Sequence, residues 1–261
     1  MYNIYCVGVG PGDPELLTVK ASRIISDARQ IAYFRKKNTL GRARAIIDTL
    51  ISNSAPFEYA MEYPVTNEVD FRSDKYKHSI NRFYDDCANK LKKLLLNDDV
   101  VVISEGDPLF YGSFVHLFRL LKKDVNIEFV PGITAMSGAW NNSKLPIAMG
   151  DQPLTILMGI QSREELKSHL ESSKNVVIMK VGTQLEKVKS VLEETDQLDK
   201  ALVIEKATMP EQKIIPLREY TKSEAPYFSI ILISETIANE GKINHSRFRT
   251  GSTRTCHTCS N

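Results

Sequence analysis

The sequence predicts an α/β protein built from two domains, and three observations support this prediction. Short apolar runs alternate along the chain with longer stretches in which apolar residues recur at helical spacing. Turn-forming residues interrupt this alternation between residues 144 and 153. At 261 residues, the chain is long enough to bury two separate cores. We therefore expect an N-terminal domain over residues 1–145 and a C-terminal domain over residues 146–240.

The N-terminal domain is predicted to contain a mostly parallel sheet. Its apolar runs are short enough for buried strands, and amphipathic helix patterns separate them. Strands that alternate with helices form parallel sheets with helices on their faces. Strands are expected at residues 4–9, 31–34, 100–104 and 127–130, and helices at residues 21–28 and 76–95, after Pro108 and after Thr134.

The C-terminal domain is predicted to contain a mixed sheet. A short polar segment without a helix pattern joins the last two strands, which favours an antiparallel edge. The strands are expected at residues 154–158, 176–181, 201–204, 213–216 and 228–234. Residues 241–261 are poor in aliphatic side chains, and we expect a disordered tail there. The tail contains Cys256 and Cys259, which are too few ligands for a structural zinc site.

Charge and composition exclude several classes of partner. The formal net charge is +2, and no run approaches the roughly 20 apolar residues of a membrane span. We expect a cytoplasmic protein that binds neither nucleic acid nor membrane. Cys6 and Cys87 fall on apolar faces and are predicted to be buried, and His78 and His116 to be surface or packing residues, with no metal bound by the protein.

Three glycine-containing turns follow predicted strands: the first turn (residues 8–14), the second turn (residues 104–113) and the third turn (residues 130–135). They lack the spacing of a dinucleotide fingerprint and the lysine of a phosphate-binding loop. The carboxyl ends of parallel strands meet at one edge of a sheet, so we expect the turns to converge there. Their bare main chain suits a neutral or cationic adenosyl group better than a phosphate.

The tripeptide Gly-Asp-Pro occurs in both the first and the second turn, at Asp13 and at Asp107. Aspartate before proline is typical of a helix start, with the aspartate as N-cap and the proline as first helical residue. Helix capping is therefore an alternative explanation of both tripeptides, and it requires no ligand.

Four motifs in order resemble those of the tetrapyrrole methyltransferases. They are VGVGPGDPELLTVKA at residues 7–21, SEGDPLFYGSF at 104–114, VPGITAMSGA at 130–139 and EKATMPEQ at 205–212. Together they are far more specific than a single glycine-rich loop. Within this family the second motif is most similar to the branch that methylates C20 of precorrin-2 or its cobalt form in cobalamin biosynthesis.

The resemblance implies the two-domain fold of class III methyltransferases, S-adenosylmethionine as methyl donor, a tetrapyrrole substrate and a homodimer. The donor would lie in a cleft between the domains. By position in these motifs, and in Leu-Met-Gly at residues 157–159 for Met158, the implied donor-binding residues are Gly10, Pro11, Glu105, Gly106, Asp107, Phe110, Thr134, Ala135, Met158 and Ala207. Many members of the family have glycine where this chain has Glu105 or Ala207, so these contacts are expected to involve the main chain.

Catalysis in such an enzyme is mainly positioning, since a sulfonium methyl group is already activated. A base must later accept a proton from the methylated carbon, and Asp107, Tyr111 and Glu105 are candidates by location. Carboxylate groups on the substrate would be bound by cationic side chains. Residues 35–44 contain five basic residues and no acid. Arg35, Lys36 and Tyr111 are therefore candidate substrate-binding residues, although a solvated basic surface is an equally good explanation.

Two other functions fit the same motifs. One is a methyltransferase of this fold with a different acceptor, such as an enzyme that methylates another corrin position, forms sirohydrochlorin, forms diphthine or methylates ribosomal RNA. The other is a non-catalytic sensor of an adenosyl ligand. The aromatic residues Phe110 and Tyr111 in the second turn suit a flat macrocycle better than these other acceptors.

Overall fold

The computed structural model describes residues 2–51, 55–64 and 73–237, and it divides the chain into two compact units, residues 1–138 and 139–261. The division falls before the turn-forming segment in which the linker was predicted. The predicted tail, with Cys256 and Cys259, lies outside the described residues. Among the described residues, no helix is both long and apolar enough to cross a membrane.

Unit 1 contains a five-stranded sheet in which every pairing is parallel, with strand order β3-β2-β4-β1-β5. The strands are β1 (Ile4–Gly8), β2 (Gln30–Arg35), β3 (Phe57–Glu62), β4 (Val100–Ser104) and β5 (Ile127–Val130). The helices are α1 (Val19–Ser26), α2 (Arg42–Ile46), α3 (Asp48–Ile51), α4 (Asp74–Leu94) and α5 (Phe114–Leu121). Because all strands run the same way, the turns after β1, β4 and β5 leave one edge of the sheet side by side.

The core of unit 1 lies on both faces of this sheet, as the sequence pattern predicts. On β4, Val100 and Val102 pack into one apolar cluster, while Val101 and Ile103 pack into another. This alternation is the period of two that an extended strand imposes on its side chains. Cys6 and Cys87 are buried in the first of these clusters, as predicted.

The edge strand β3 is absent from the sequence prediction. Its sequence, Phe57–Glu62, contains two glutamates and no apolar run, and only Met61 is buried. An edge strand has one neighbour and needs little burial, so its apolar signal is weak.

Unit 2 contains a mixed five-stranded sheet of order β6-β7-β10-β8-β9. Its strands are β6 (Thr155–Met158), β7 (Val176–Met179), β8 (Ala201–Glu205), β9 (Lys213–Pro216) and β10 (Ser229–Ile233), and its helices are α7 (Arg163–Ser172) and α8 (Leu185–Glu194). A further helix, α6 (Ala135–Ser143), spans the division between the units.

Unit 2 has an antiparallel edge strand, as predicted, but this strand does not pair with the strand that was predicted as its neighbour. Strand β9 lies at the edge and pairs with β8, whereas β10 lies between β7 and β8 and is antiparallel to both. Strands β6 and β7 are parallel, and β8 runs in their direction because both β7 and β8 are antiparallel to β10. The carboxyl ends of β6, β7 and β8 therefore lie along one side of the sheet, its carboxyl edge.

Candidate functional site

The first and second turns are joined directly by main-chain hydrogen bonds. The N–H of Gly106 donates to the carbonyl of Gly10 at 2.8 Å, and the N–H of Gly10 donates to the carbonyl of Gly106 at 3.3 Å. Both glycines have positive φ, +77° at Gly10 and +63° at Gly106. Other residues adopt this conformation only with strain, so the bridge explains both glycines without a ligand.

The third turn packs against the other two so closely that side chains are excluded. A Cβ on Gly8 would lie 2.6 Å from the carbonyl oxygen of Gly106, and a Cβ on Gly132 would lie 2.1 Å from the same oxygen. Real Cβ atoms do not approach oxygen so closely, so glycine is required at both positions. The predicted convergence of the three turns is therefore present within unit 1.

The two Gly-Asp-Pro tripeptides form the same local turn, in which the aspartate accepts the N–H two residues further on, but only the first tripeptide opens a helix. Asp13 caps a short 3-10 helix over Pro14–Leu16 by accepting a hydrogen bond from the N–H of Glu15, as predicted. The helix expected after Pro108 is present as α5, but Pro108 is not its first residue, because α5 begins at Phe114.

Asp107 acts instead as a bridge between the second and third turns. One carboxylate oxygen accepts a hydrogen bond from the N–H of Leu109 at 2.9 Å, and the other accepts one from the N–H of Gly132 at 3.2 Å. A carboxylate that accepts two main-chain N–H groups fixes the loops that supply them. This arrangement indicates a structural role for Asp107.

The remaining candidate residues of the second and third turns lie beside this bridge. Tyr111 is 55% exposed with a φ of +57°, and its ring meets the ring of Phe110 edge to face at 4.8 Å between centroids. Thr134 immediately precedes α6, and its Oγ1 accepts a hydrogen bond from the N–H of Ser137, while Ala135 is the first residue of α6. Pro11 of the first turn is buried.

Glu105 directly follows β4, the central strand of the unit 1 sheet. The residue as a whole is exposed, but protein atoms crowd its carboxyl group. This loss of solvation raises the pKa of Glu105 to about 7, against the opposing effect of Arg42 and of the Ala43 amide. Glu105 therefore titrates in the neutral range, as a group that exchanges protons at physiological pH must.

The basic segment over residues 35–44 is partly paired with acids of the same unit. Arg35 forms an ion pair with Glu62 at 3.0 Å, and Arg44 binds both Glu58 at 2.7 Å and Asp48 at 2.8 Å. Lys36, directly after β2, is exposed. The structure thus gives Arg35 and Arg44 partners that the sequence did not predict.

An aromatic cluster at the carboxyl ends of β2 and β3 was also not predicted. Phe34 and Tyr63 stack at 5.6 Å between ring centroids, and Phe83 and Tyr84 of α4 pack against Phe34. The hydroxyl of Tyr63 is hydrogen-bonded to Ser113 of the second turn. No local pattern signals this cluster, because its members come from separate elements.

The predicted residues of unit 2 lie in two turns at one edge of its sheet, the β6 turn (residues 158–161) and the β8 turn (residues 205–212). Met158 is the last residue of β6, and Ala207 lies two residues beyond the end of β8. Gly159 is required in the β6 turn because a Cβ there would lie 2.8 Å from the carbonyl oxygen of Lys180.

Among the residues that the structure describes, no group of three or more histidine, cysteine, aspartate or glutamate side chains could hold a metal ion. His116 of α5 stacks on Tyr84 at 4.7 Å between ring centroids. Burial, with a smaller contribution from Arg119, lowers the pKa of His116 below its ordinary value.

Comparison with known proteins identifies the family. A family model described as tetrapyrrole (corrin/porphyrin) methylases matches residues 3–221. The chain belongs to the tetrapyrrole methylase family. This methylase is 42% identical to a precorrin-2 C(20)-methyltransferase of Sinorhizobium over 228 residues, which cover 87% of this chain and 93% of that protein.

Further relatives include a probable cobalt-precorrin-2 C(20)-methyltransferase of Methanocaldococcus jannaschii, 29% identical over 81% of this chain and 86% of that protein. The cobalamin biosynthesis protein CobIJ of Mycobacterium tuberculosis is 33% identical over 88% of this chain, and the matched region spans 45% of CobIJ. This methylase therefore corresponds to less than half of that longer relative.

Solved structures of other tetrapyrrole methylases share the fold. The uroporphyrin-III C-methyltransferase of Thermus thermophilus, complexed with S-adenyl homocysteine, matches with a TM-score of 0.62 and 19% identity over 90% of this chain and 98% of that one. The cobalt precorrin-4 methyltransferase CbiF matches with a TM-score of 0.63 and 23% identity over 90% and 95% of the two chains. The predicted family and fold class are thereby confirmed.

Proposed function

We propose that this protein is an S-adenosylmethionine-dependent methyltransferase that methylates C20 of precorrin-2 or of its cobalt form in cobalamin biosynthesis. The observation that carries the proposal is the 42% identity to a precorrin-2 C(20)-methyltransferase across 93% of that enzyme. The relative of Methanocaldococcus, which is named for the cobalt form, supports the same position of methylation but leaves the metal content of the substrate open.

The three converging turns of unit 1 supply the chemistry that an adenosyl donor requires. At Gly106 the second turn lies against main chain of the third turn, because an added Cβ would be 3.8 Å from the carbonyl oxygen of Ile133 and 3.8 Å from the nitrogen of Ala135. Carbonyl oxygens at such a surface carry no formal charge, and their partial negative charge can face a sulfonium cation. We assign donor contacts to the main chain at Gly10, Pro11, Glu105 and Gly106, and further contacts to Asp107, Phe110, Thr134, Ala135, Met158 and Ala207.

When bound, S-adenosylmethionine supplies a methyl group that is already activated for transfer to a carbon nucleophile. The residues of the turns therefore have to bind the donor, orient it and exclude water. Orientation alone can lower the activation barrier by about 7–11 kcal/mol. The bridges at Gly106 and Asp107 fix the turns before any ligand arrives, which is the preorganisation that such catalysis needs.

The tetrapyrrole carries carboxylate groups, and we propose that Arg35, Lys36 and Tyr111 contact it. Arg35 already shares the carboxylate of Glu62 in a half-buried ion pair, so it would offer its remaining N–H groups to the substrate. Its planar guanidinium can bind two carboxylates at once, which an ammonium group does less well.

After methylation, C20 loses a proton, and the candidates to accept it remain Asp107, Tyr111 and Glu105. Both carboxylate oxygens of Asp107 are already engaged by main-chain N–H groups, which suits a structural role. Glu105, with its pKa of about 7, combines a suitable proton affinity with a place after the central strand. We further propose that the protein is cytoplasmic and acts as a homodimer without nucleic-acid or membrane partners.

The proposed reaction is tested by incubating the protein with methyl-labelled S-adenosylmethionine and with precorrin-2 or its cobalt form. We expect one labelled methyl group per macrocycle, and carbon NMR of the product should place it at C20. Labelling at another carbon would identify a different methylase of this fold. Donor binding without transfer to any tetrapyrrole would instead favour an adenosyl sensor.

A further inference from the structure

The two turns at the edge of the unit 2 sheet are held by the same kind of hydrogen bond. In the β6 turn, the N–H of Met158 donates to the side-chain carbonyl of Gln161 at 2.8 Å. In the β8 turn, the N–H of Thr208 donates to the side-chain carbonyl of Gln212 at 2.7 Å. Each glutamine thus folds back on its own turn and fixes main chain next to a residue assigned above to the donor.

The β8 turn needs such a restraint because its main chain is strained. Lys206 has a φ of +49° and Thr208 a φ of +68°. The left-handed conformation is strained for any residue that has a Cβ, and a β-branched residue such as threonine adopts it rarely. Strain of this kind persists only where surrounding contacts fix the conformation, and it concentrates at functional sites.

Ala207 lies between these two strained residues, and its methyl group is too short to extend far beyond the main chain. Ala207 is buried, with 8% of its surface exposed, and the direction of its carbonyl group is set by the peptide between Ala207 and Thr208. The nitrogen of that peptide is the one that donates to Gln212. Gln212 therefore helps to fix the orientation of the Ala207 carbonyl group, together with the main-chain bond from the N–H of Met209 to the carbonyl of Lys206 at 3.0 Å.

We infer that Gln212 and Gln161 are positioning residues for the methyl donor, which they do not need to touch. This inference rests on the proposed function, since it takes Ala207 and Met158 as donor contacts. Only the acceptor oxygen of each glutamine is used in these bonds, so a carboxylate of the same length should replace the amide. A side chain of similar size that has no acceptor atom should not replace it.

The test compares the affinity for S-adenosylhomocysteine of three variants by calorimetry. Gln212→Met removes the acceptor, and Gln212→Glu keeps it. Gln152→Met is the matched control, because Gln152 accepts the N–H of Met149 at 2.9 Å and the side-chain amide of Asn175 at 3.4 Å in the segment before β6, whereas both turns follow the carboxyl ends of strands. We expect binding about tenfold weaker for Gln212→Met, the effect of one net hydrogen bond, and within twofold of the original protein for the other two.

Equal affinities for the original protein and Gln212→Met would overturn the inference, as would an equal loss in Gln152→Met. If the original protein itself shows no affinity, the proposed function fails first and the inference with it. A second readout is amide hydrogen exchange at Thr208, which should accelerate in Gln212→Met and stay slow in Gln212→Glu. Should Gln212→Met not fold, Gln212→Asn serves instead, because its amide is one methylene too short to reach Thr208.

With S-adenosylmethionine as substrate, the positioning role predicts a higher KM for the donor in Gln212→Met and a smaller change in kcat. Gln161→Met should behave in the same way at the β6 turn. A loss of kcat alone, at unchanged KM and unchanged affinity for S-adenosylhomocysteine, would show that the glutamines do not position the donor.

Discussion

Gly132 is the residue on which the convergence of the three turns depends most. An added Cβ would overlap the carbonyl oxygen of Gly106 at 2.1 Å, so Gly132→Ala must push two main chains apart. We expect a loss of about 2–3 kcal/mol in the free energy of unfolding, typical of overpacking, measured by urea denaturation.

Gly150→Ala is the matched control for this substitution. Gly150 has a φ of +58° and no atom within 4 Å of the added Cβ, so only backbone strain of about 1 kcal/mol is expected. If the two variants lose the same stability, the close approach of the turns is not what requires Gly132.

The buried carboxylate of Glu205 predicts a pH dependence of stability. Burial opposes its ionisation, but hydrogen bonds from Lys222 at 2.7 Å and from Tyr220 together lower the pKa of Glu205 below its ordinary value. A lowered pKa adds stability above the ordinary value of 4.5, and this stability is lost as the pH falls through the lowered pKa.

Lys222→Met should therefore cost about 1–2 kcal/mol at pH 7, and the difference from the original protein should shrink below pH 4.5. Lys174→Met, which removes an exposed ion pair with Glu235, should change stability by less than about 0.5 kcal/mol at either pH. Denaturant unfolding at pH 7 and pH 3 measures both. A constant difference at the two pH values would contradict the assignment.

Among the helices, α7 has a complete capping box directly after the β6 turn. The Oγ of Ser162 accepts the N–H of Glu165, whose carboxylate accepts the N–H of Ser162. Ser162→Ala should lower the free energy of unfolding by about 1 kcal/mol. Ser168→Ala, at an exposed position inside the same helix, should cause no loss because alanine is the better helix former. Equal effects of the two changes would exclude the cap as the cause.

Elements were predicted accurately where residues close together in the sequence carry the pattern that defines them. Strand β4 and helix α4 carry apolar patterns of the right period, and both were predicted to within a few residues. Asp13 and Asp107 occur in identical tripeptides, yet only Asp13 caps a helix. The carboxylate of Asp107 meets the N–H of Gly132, 25 residues away, and no local pattern shows that contact.

The same limit applies to the candidate site. The three turns were found because glycines after strands are visible in the sequence. The restraints on the β6 and β8 turns of unit 2 were missed, since Gln161 and Gln212 are ordinary polar residues until the main chain is folded. The aromatic cluster of Phe34 and Tyr63 was missed for another reason, because β3, which precedes Tyr63, was not recognised.

For the protein as a whole, the proposed homodimer is a separate prediction. Light scattering coupled to size exclusion should give twice the 29.5 kDa of one chain at micromolar concentration. A mass of one chain that does not change on concentration would contradict it, without affecting the assignment of the reaction.

The central claim is that the main chain of three converging turns holds an S-adenosyl group. The most direct measurement is a crystal structure of the protein with S-adenosylhomocysteine. The account predicts the ligand at the carboxyl edge of the unit 1 sheet, within hydrogen-bond distance of main-chain atoms between Gly10 and Pro11, at Gly106 and at Thr134–Ala135. A ligand bound elsewhere, or held chiefly by charged side chains, would contradict the account.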